Sequence, residues 1–174
     1  MFPILETERL TLREITESDS QEIYQCFSND DLTRFYGQDS FESIEQAREI
    51  IEKFAENYKE KRAIRWGIER KGIPGLIGTI GFHAYLPKNR RAEIGYELHP
   101  DHWNKGYMTE GLKEIAAFGF NELGLTRIGA VVFTENVQSS QLLKKAGFAE
   151  EGILRKYMYQ NGVPHDTYMY SLIK

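Results

Sequence analysis

Trp103-Asn104-Lys105-Gly106-Tyr107-Met108-Thr109-Glu110-Gly111 marks the point where one periodicity gives way to another. Before it, Ala92 to Leu98 reads as an extended segment that stops at His99-Pro100-Asp101. After it, Met108, Leu112, Ala116, Phe120 and Leu123 recur at helical spacing, so the stretch opens an amphipathic helix. A strand-to-helix junction with a glycine inside it suits an anion. The first N–H groups of a helix lack internal partners, and the helix dipole places partial positive charge there. Gly106 removes the side chain that would hold an anion at a distance, and Lys105 adds a full positive charge. The backbone from Asn104 to Thr109, through Lys105, Gly106, Tyr107 and Met108, therefore reads as a pyrophosphate cradle. An ordinary helix start is the alternative for the same residues.

Neither common phosphate motif is present. No second glycine precedes Lys105 at the Walker spacing, and no Gly-Lys-Ser/Thr triplet occurs. Gly106 and Gly111 alone fall short of the dinucleotide fingerprint.

Working outward, Leu5 to Glu14 alternates as a strand, and Thr16-Glu17-Ser18-Asp19 caps a short helix with Ile23 and Phe27 on its inner side. Asn29-Asp30-Asp31 ends that helix. Ile44, Ala47, Ile50, Ile51, Phe54 and Tyr58 predict a second helix from Ser43 to about Lys61. Arg62 to Arg70 and Leu76 to Leu86 form strands joined at Lys71–Gly75, and Pro87–Arg90 turns into the strand before the cradle. Beyond the cradle helix, Gly124 is a stop and Leu125 to Phe133 is a strand apolar enough to be covered on both faces. Asn136 caps a helix ending at Lys144-Lys145-Ala146-Gly147. Phe148–Tyr159 and Pro164–Ile173 are strands meeting at Asn161-Gly162. Two strand–helix–strand units behind antiparallel strands predict a mixed α/β sheet, in one domain spanning residues 1–174.

Composition excludes several classes of function. The chain has 174 residues, 41% of them hydrophobic, enough for a substantial core. A net charge of −4 argues against nucleic-acid binding, which favours a basic face. Cys26 stands alone, so neither a disulfide framework nor a cysteine-rich metal site is expected. His99 and His102 have a ligand-like spacing without cysteine partners, and no metal is expected. No apolar run reaches the ~20 residues that span a bilayer, and the N-terminus has neither a basic segment nor an apolar core. A cytoplasmic protein without a membrane partner is expected.

The quoted stretch, preceded by Ala92-Glu93-Ile94-Gly95-Tyr96-Glu97-Leu98, resembles the acetyl-CoA motif of the GNAT superfamily of N-acetyltransferases. It is closest to the RimJ/RimL-type branch, which writes it Trp-Gly-Lys-Gly-Tyr-Ala-Thr-Glu-Ala; Asn104 stands at that pattern's first glycine. Asn136-Val137-Gln138-Ser139 followed by Lys145-Ala146-Gly147-Phe148 resembles the branch's second signature, and Glu8-Arg9-Leu10-Thr11-Leu12-Arg13 its first strand. The resemblance runs from about Thr7 to Leu172. It implies a central mixed sheet of about six to seven strands with a V-shaped splay, flanked by about four helices.

It also implies acetyl-CoA as co-substrate and direct acetyl transfer to a primary amine, most readily a protein or peptide N-terminus, by a monomer or a homodimer. A small-molecule amine acetyltransferase and a non-catalytic acyl-CoA sensor are the alternatives. The implied donor contacts are the backbone of Tyr96, Glu97 and Leu98, then Asn104–Thr109 and Asn136. Ser139 is the implied partner of the departing thiolate, because Leu143 occupies the position where the wider superfamily carries a tyrosine acid. For Asn136 and Ser139 a plain capping role explains the same residues. Glu93 and Glu97 share strand parity and are the base candidates, unless a bulge at Gly95 breaks that parity or both are solvated surface groups. Tyr36 is expected on the acceptor side.

Overall fold

A computed structural model describes all 174 residues. Its strands are β1 (Leu5–Glu6), β2 (Leu10–Glu14), β3 (Ile64–Arg70), β4 (Ile73–Leu86), β5 (Arg91–Leu98), β6 (Arg127–Phe133), β7 (Ala149–Gln160) and β8 (Val163–Ile173). Its helices are α1 (Ser20–Phe27), α2 (Asp30–Thr33), α3 (Ile44–Lys59), α4 (Tyr107–Asn121) and α5 (Val137–Lys145). The eight strands form one sheet in the order β1-β2-β3-β4-β5-β6-β8-β7. All neighbours are antiparallel except β5 and β6.

The counts exceed the sequence expectation for local reasons. Thr7, Glu8 and Arg9 break the first strand in two, so that Leu5 pairs back onto Leu12. The Thr7 hydroxyl accepts from the Leu10 N–H at 2.9 Å and closes this turn. Asn29 ends α1 and also starts α2, its Oδ1 accepting from Asp31 and Leu32. Of the two expected parallel crossovers, only β5-α4-β6 has adjacent strands. The second is split, because β8 inserts between β6 and β7.

Each face of the sheet carries its own core. α4 covers one face, where Leu112 and Ile115 pack with Trp66, Phe82 and Ile128. α1 and α3 cover the other through Ile23, Phe27, Ala47 and Ile51 against Ile15 and Leu76. Leu112 is 1% exposed, so Leu112→Ala should cost about 2–5 kcal/mol through lost burial and the cavity left behind. No helix is long and apolar enough to cross a membrane.

Candidate active site

The site begins where two parallel strands part. β5 and β6 pair only at Arg91/Arg127, Ala92/Ile128 and Glu93/Gly129. Further along, β5 stays paired to β4 as far as Leu98, and β6 to β8 as far as Phe133. Each strand follows its other neighbour, so the edge of β5 from Ile94 to Leu98 has no strand beside it. This splay opens into a cavity of about 900 Å³ reached by the cradle, β5, α5 and the loop after α2.

At the cradle, the first backbone bond of α4 runs from the Glu110 N–H to the Gly106 carbonyl at 3.1 Å. The six N–H groups from Asn104 to Thr109 donate to no group of the protein. Gly106 sits at φ +80°, and a Cβ there would lie 3.2 Å from the Arg9 guanidinium. Asn104 has φ +58°, a conformation glycine takes freely and asparagine better than most residues. That explains how asparagine can stand at the glycine of the resembled pattern. Lys105 donates to the Asp101 carbonyl at 2.7 Å and stays exposed beside the loop. Met108 is buried in the core, so it offers the cradle only its backbone.

Arg9 and Glu110 fix the loop to the sheet. The Arg9 guanidinium donates to Glu110 Oε2 at 2.7 Å and to the Lys105 carbonyl at 2.9 Å, and lies over the Tyr107 ring. Glu110 also accepts from the Thr7 hydroxyl and the Arg9 N–H. Burial alone would raise the Glu110 carboxyl, but these three donors together hold it below the ordinary range. Trp103 is a packing residue whose indole donates to the Leu98 carbonyl at 2.6 Å.

Across the splay, Asn136 Oδ1 accepts from the Ser139 N–H at 3.1 Å, which caps α5. The Ser139 hydroxyl meets the Tyr96 phenol at 2.6 Å. Burial pushes the Tyr96 phenol up, only partly opposed by its bond to Ser139, so it is a protonated donor at neutral pH. The sequence reading used only the backbone of Tyr96. Strand parity could have found its ring, because Tyr96 faces opposite to Glu93 and Glu97 and therefore toward α5.

Glu97 is buried, its side chain 1% exposed. One carboxylate oxygen accepts from Tyr36 Oη at 2.7 Å and pairs with Arg65; the other accepts from the Thr79 hydroxyl. Arg65 Nε donates to Thr79 Oγ1 at 2.7 Å. Burial would lower the Arg65 guanidinium, but Glu97 and Tyr36 together outweigh it and keep Arg65 charged. Burial likewise pushes the Tyr36 phenol up. Tyr36 lines the cavity, on a loop that Gln160 holds by donating to the Thr33 carbonyl at 2.6 Å.

No bulge occurs at Gly95: the β4–β5 ladder keeps register from His83/Glu93 through Gly81/Gly95 to Gly78/Leu98. Glu93, Gly95 and Glu97 therefore share a face. Glu93 does not line the cavity; its carboxylate contacts His83 Nε2 at 3.4 Å, and it is His83 that reaches the cavity wall. Cys26 lies away from the cavity, and burial pushes its thiol up to about 12.

Residues 9–149 match the family model described as Acetyltransferase (GNAT) domain. The chain is 59% identical over 174 residues to the uncharacterized N-acetyltransferase YoaA of Bacillus subtilis (strain 168), covering 100% of this chain and 98% of that protein. It is 27% identical over 159 residues to a spermidine N(1)-acetyltransferase of Vibrio cholerae, covering 91% of this chain and 90% of that one. An acetyltransferase from Salmonella typhimurium, described as modifying the N-terminal serine of ribosomal protein L7/L12, shares the fold with a TM-score of 0.89 at 23% identity over 99% of each chain. The matched residues include both the cradle and the splayed strands, and the chain belongs to the GNAT family of acetyltransferases.

Proposed function

We propose that the protein moves the acetyl group of acetyl-CoA directly to a primary amine, with a protein or peptide N-terminus as the favoured acceptor. One observation carries this reading. The unpartnered N–H groups of Asn104, Gly106, Tyr107, Met108 and Thr109, the bare edge of β5 and the Ser139–Tyr96 hydroxyl pair all border one cavity.

The pieces fit the donor's parts. The cradle would hold the pyrophosphate, with Lys105 and Arg9 as flanking charge. The edge formed by Tyr96, Glu97 and Leu98 would pair with the pantetheine arm. Asn136 spends Oδ1 on its cap and keeps its amide N–H groups for the same arm. The donor supplies an electrophilic thioester carbon, which a backbone N–H of β5 would polarise. Ser139 would donate a hydrogen bond to the departing sulfur, and Tyr96 would replenish the proton through the serine hydroxyl. In this role Tyr96 supplies from β5 the phenol that Leu143, packed in the core, lacks on α5. The buried, protonated Cys26 has no part, which supports direct transfer over an acyl-cysteine intermediate.

The acceptor end favours a single amine over a polyamine. Glu97 is consumed by Arg65, Thr79 and Tyr36, which leaves it no capacity to grip a second cationic centre. At the mouth Asp31 and Glu135 are balanced by Arg34 and Lys145. The likeness to a spermidine acetyltransferase keeps small amines as the second reading. Comparing kcat/KM for N-terminal peptides and for spermidine decides between them. Faster transfer to spermidine would overturn the peptide assignment and leave the transferase intact.

A further inference from the structure

Within the proposed acetyl transfer, the base is the open question, and both glutamates are otherwise engaged. Glu97 accepts three hydrogen bonds in a buried cluster, and Glu93 lies outside the cavity. His83 stands between them in a different way. It is the direct cross-strand partner of Glu93, and its side chain is 48% exposed whereas that of Glu93 is 15% exposed. Nε2 faces the Glu93 carboxylate at 3.4 Å. The other edge of the ring faces Gly95, where a Cβ would lie 3.2 Å from Nδ1 and 3.0 Å from Arg65 Nη1. Gly95, lacking a Cβ, lets His83 and Arg65 close over this face of β5, and all three line the cavity.

We propose that His83 is the general base of the reaction and that Glu93 is its positioning residue. Glu93 accepts from Nε2–H, which fixes the tautomer that keeps the lone pair on Nδ1, for an acceptor amine entering through the cavity that His83 lines. His83 Nδ1 takes one proton from the acceptor ammonium. The amine lone pair then forms the C–N bond to the acetyl carbon. The C–S bond breaks, its electron pair leaves on sulfur, and sulfur takes a proton through Ser139 from Tyr96. The second proton shed by the new amide nitrogen returns through solvent to Tyr96, and His83 gives its proton to solvent. Products are the amide, CoA thiol and one released proton.

The charges around His83 are few. Glu93 faces it from β5, with Arg91 and Arg127 behind that carboxylate, and Arg65, paired with Glu97, faces it across Gly95. The bond to His83 chiefly, reinforced by those arginines, holds the Glu93 carboxyl below its ordinary range, so it stays ionised at neutral pH.

The test uses His83→Gln, Glu93→Gln and Glu93→Asp with the best acceptor of the wild-type enzyme. His83→Gln should lose roughly 100-fold in kcat with CoA affinity within about twofold, and should lose the acidic limb of the pH–rate profile. Added imidazole should restore part of the rate of His83→Ala. Glu93→Gln should lower kcat by about tenfold with KM for the acceptor within about twofold, and Glu93→Asp should restore most of that rate. Nitrogen-15 NMR of the unliganded wild-type protein should show the Nε2–H tautomer of His83, a readout independent of turnover. Full turnover by His83→Gln, or an Nδ1–H tautomer, would overturn the base assignment and leave acetyl transfer standing. Absence of transfer by the wild type to any amine would overturn both.

Discussion

The Ser139 hydroxyl lies 2.6 Å from the Tyr96 phenol, joining α5 to β5 across the mouth of the splay. In the proposed mechanism the two act as one proton-delivery unit, so their losses should not add. Ser139→Ala and Tyr96→Phe should each lower kcat by about 10–100-fold, and the double variant by little more than the worse single one. CoA affinity should hold within about threefold, because the cradle is untouched. Steady-state kinetics with calorimetry checks both. Wild-type kcat in Tyr96→Phe would remove the phenol from proton delivery.

Gly106→Glu should weaken CoA binding by at least about 100-fold. It puts bulk and negative charge where φ is +80° and where an anion would sit. Asn104→Gly should bind CoA as the wild type does, since both residues accept the left-handed conformation, whereas Asn104→Val should bind worse. Calorimetry on variants with native circular dichroism reads this directly. Unchanged affinity in folded Gly106→Glu would displace the cradle from its role.

Arg65 and Glu97 form a buried pair, 10% and 1% exposed at the side chain. Removing one partner strands the other's charge, so Arg65→Met should cost about 3–5 kcal/mol, a Tm fall on the order of 10 °C. The double variant Arg65→Met/Glu97→Leu should recover much of that loss, because the pair's desolvation cost goes with it. Equal Tm values for Arg65→Met and wild type would mean the pair contributes nothing to folding.

The Arg13–Asp19 pair sets an acid limit to stability. Burial alone would raise the Asp19 carboxyl, but Arg13, bonded through Nη2 at 2.9 Å, and the Thr16 N–H lower it further. A carboxyl depressed in the fold stabilises it fully above the unfolded value of about 3.9, and that contribution fades as pH falls through the folded value. Asp19→Asn should therefore lower Tm at pH 7 and flatten the Tm decline below about pH 4. A decline as steep as the wild type's would assign it to other carboxylates.

Cys26 should react with a thiol reagent only on unfolding, its thiol being buried and held up to about 12. Cys26→Ser should transfer acetyl at a rate within about threefold of wild type. Abolished turnover in folded Cys26→Ser would reopen the acyl-cysteine route.

What the sequence revealed follows the range of the forces involved. Caps act over three or four residues, so Asn136 before α5 was legible, as was the helix start after Gly106. The turn that divides β1 from β2 was not. Thr7 and Arg9 carry no turn signature, and they are held by Glu110 from a helix about a hundred positions later. The placement of β8 beside β6 is likewise a non-local pairing that alternation alone leaves unspecified. Glu97 looked like a free carboxylate because its partners, Thr79 and Arg65, sit 18 and 32 positions away on other strands. Gly95 suggested a bulge, yet it lets Arg65 and His83 close over the strand on a ladder that stays in register. Both outcomes need a glycine, and residue identity alone does not separate them.

The most direct measurement mixes the purified protein with acetyl-CoA and a panel of N-terminal peptides and small amines, and follows free CoA thiol. The account predicts release that depends on the amine, saturates with it, and yields an equal amount of N-acetylated product by mass spectrometry. CoA binding without release across the panel would favour an acyl-CoA sensor. Absence of CoA binding would contradict the reading of Asn104–Thr109 on which the whole site rests.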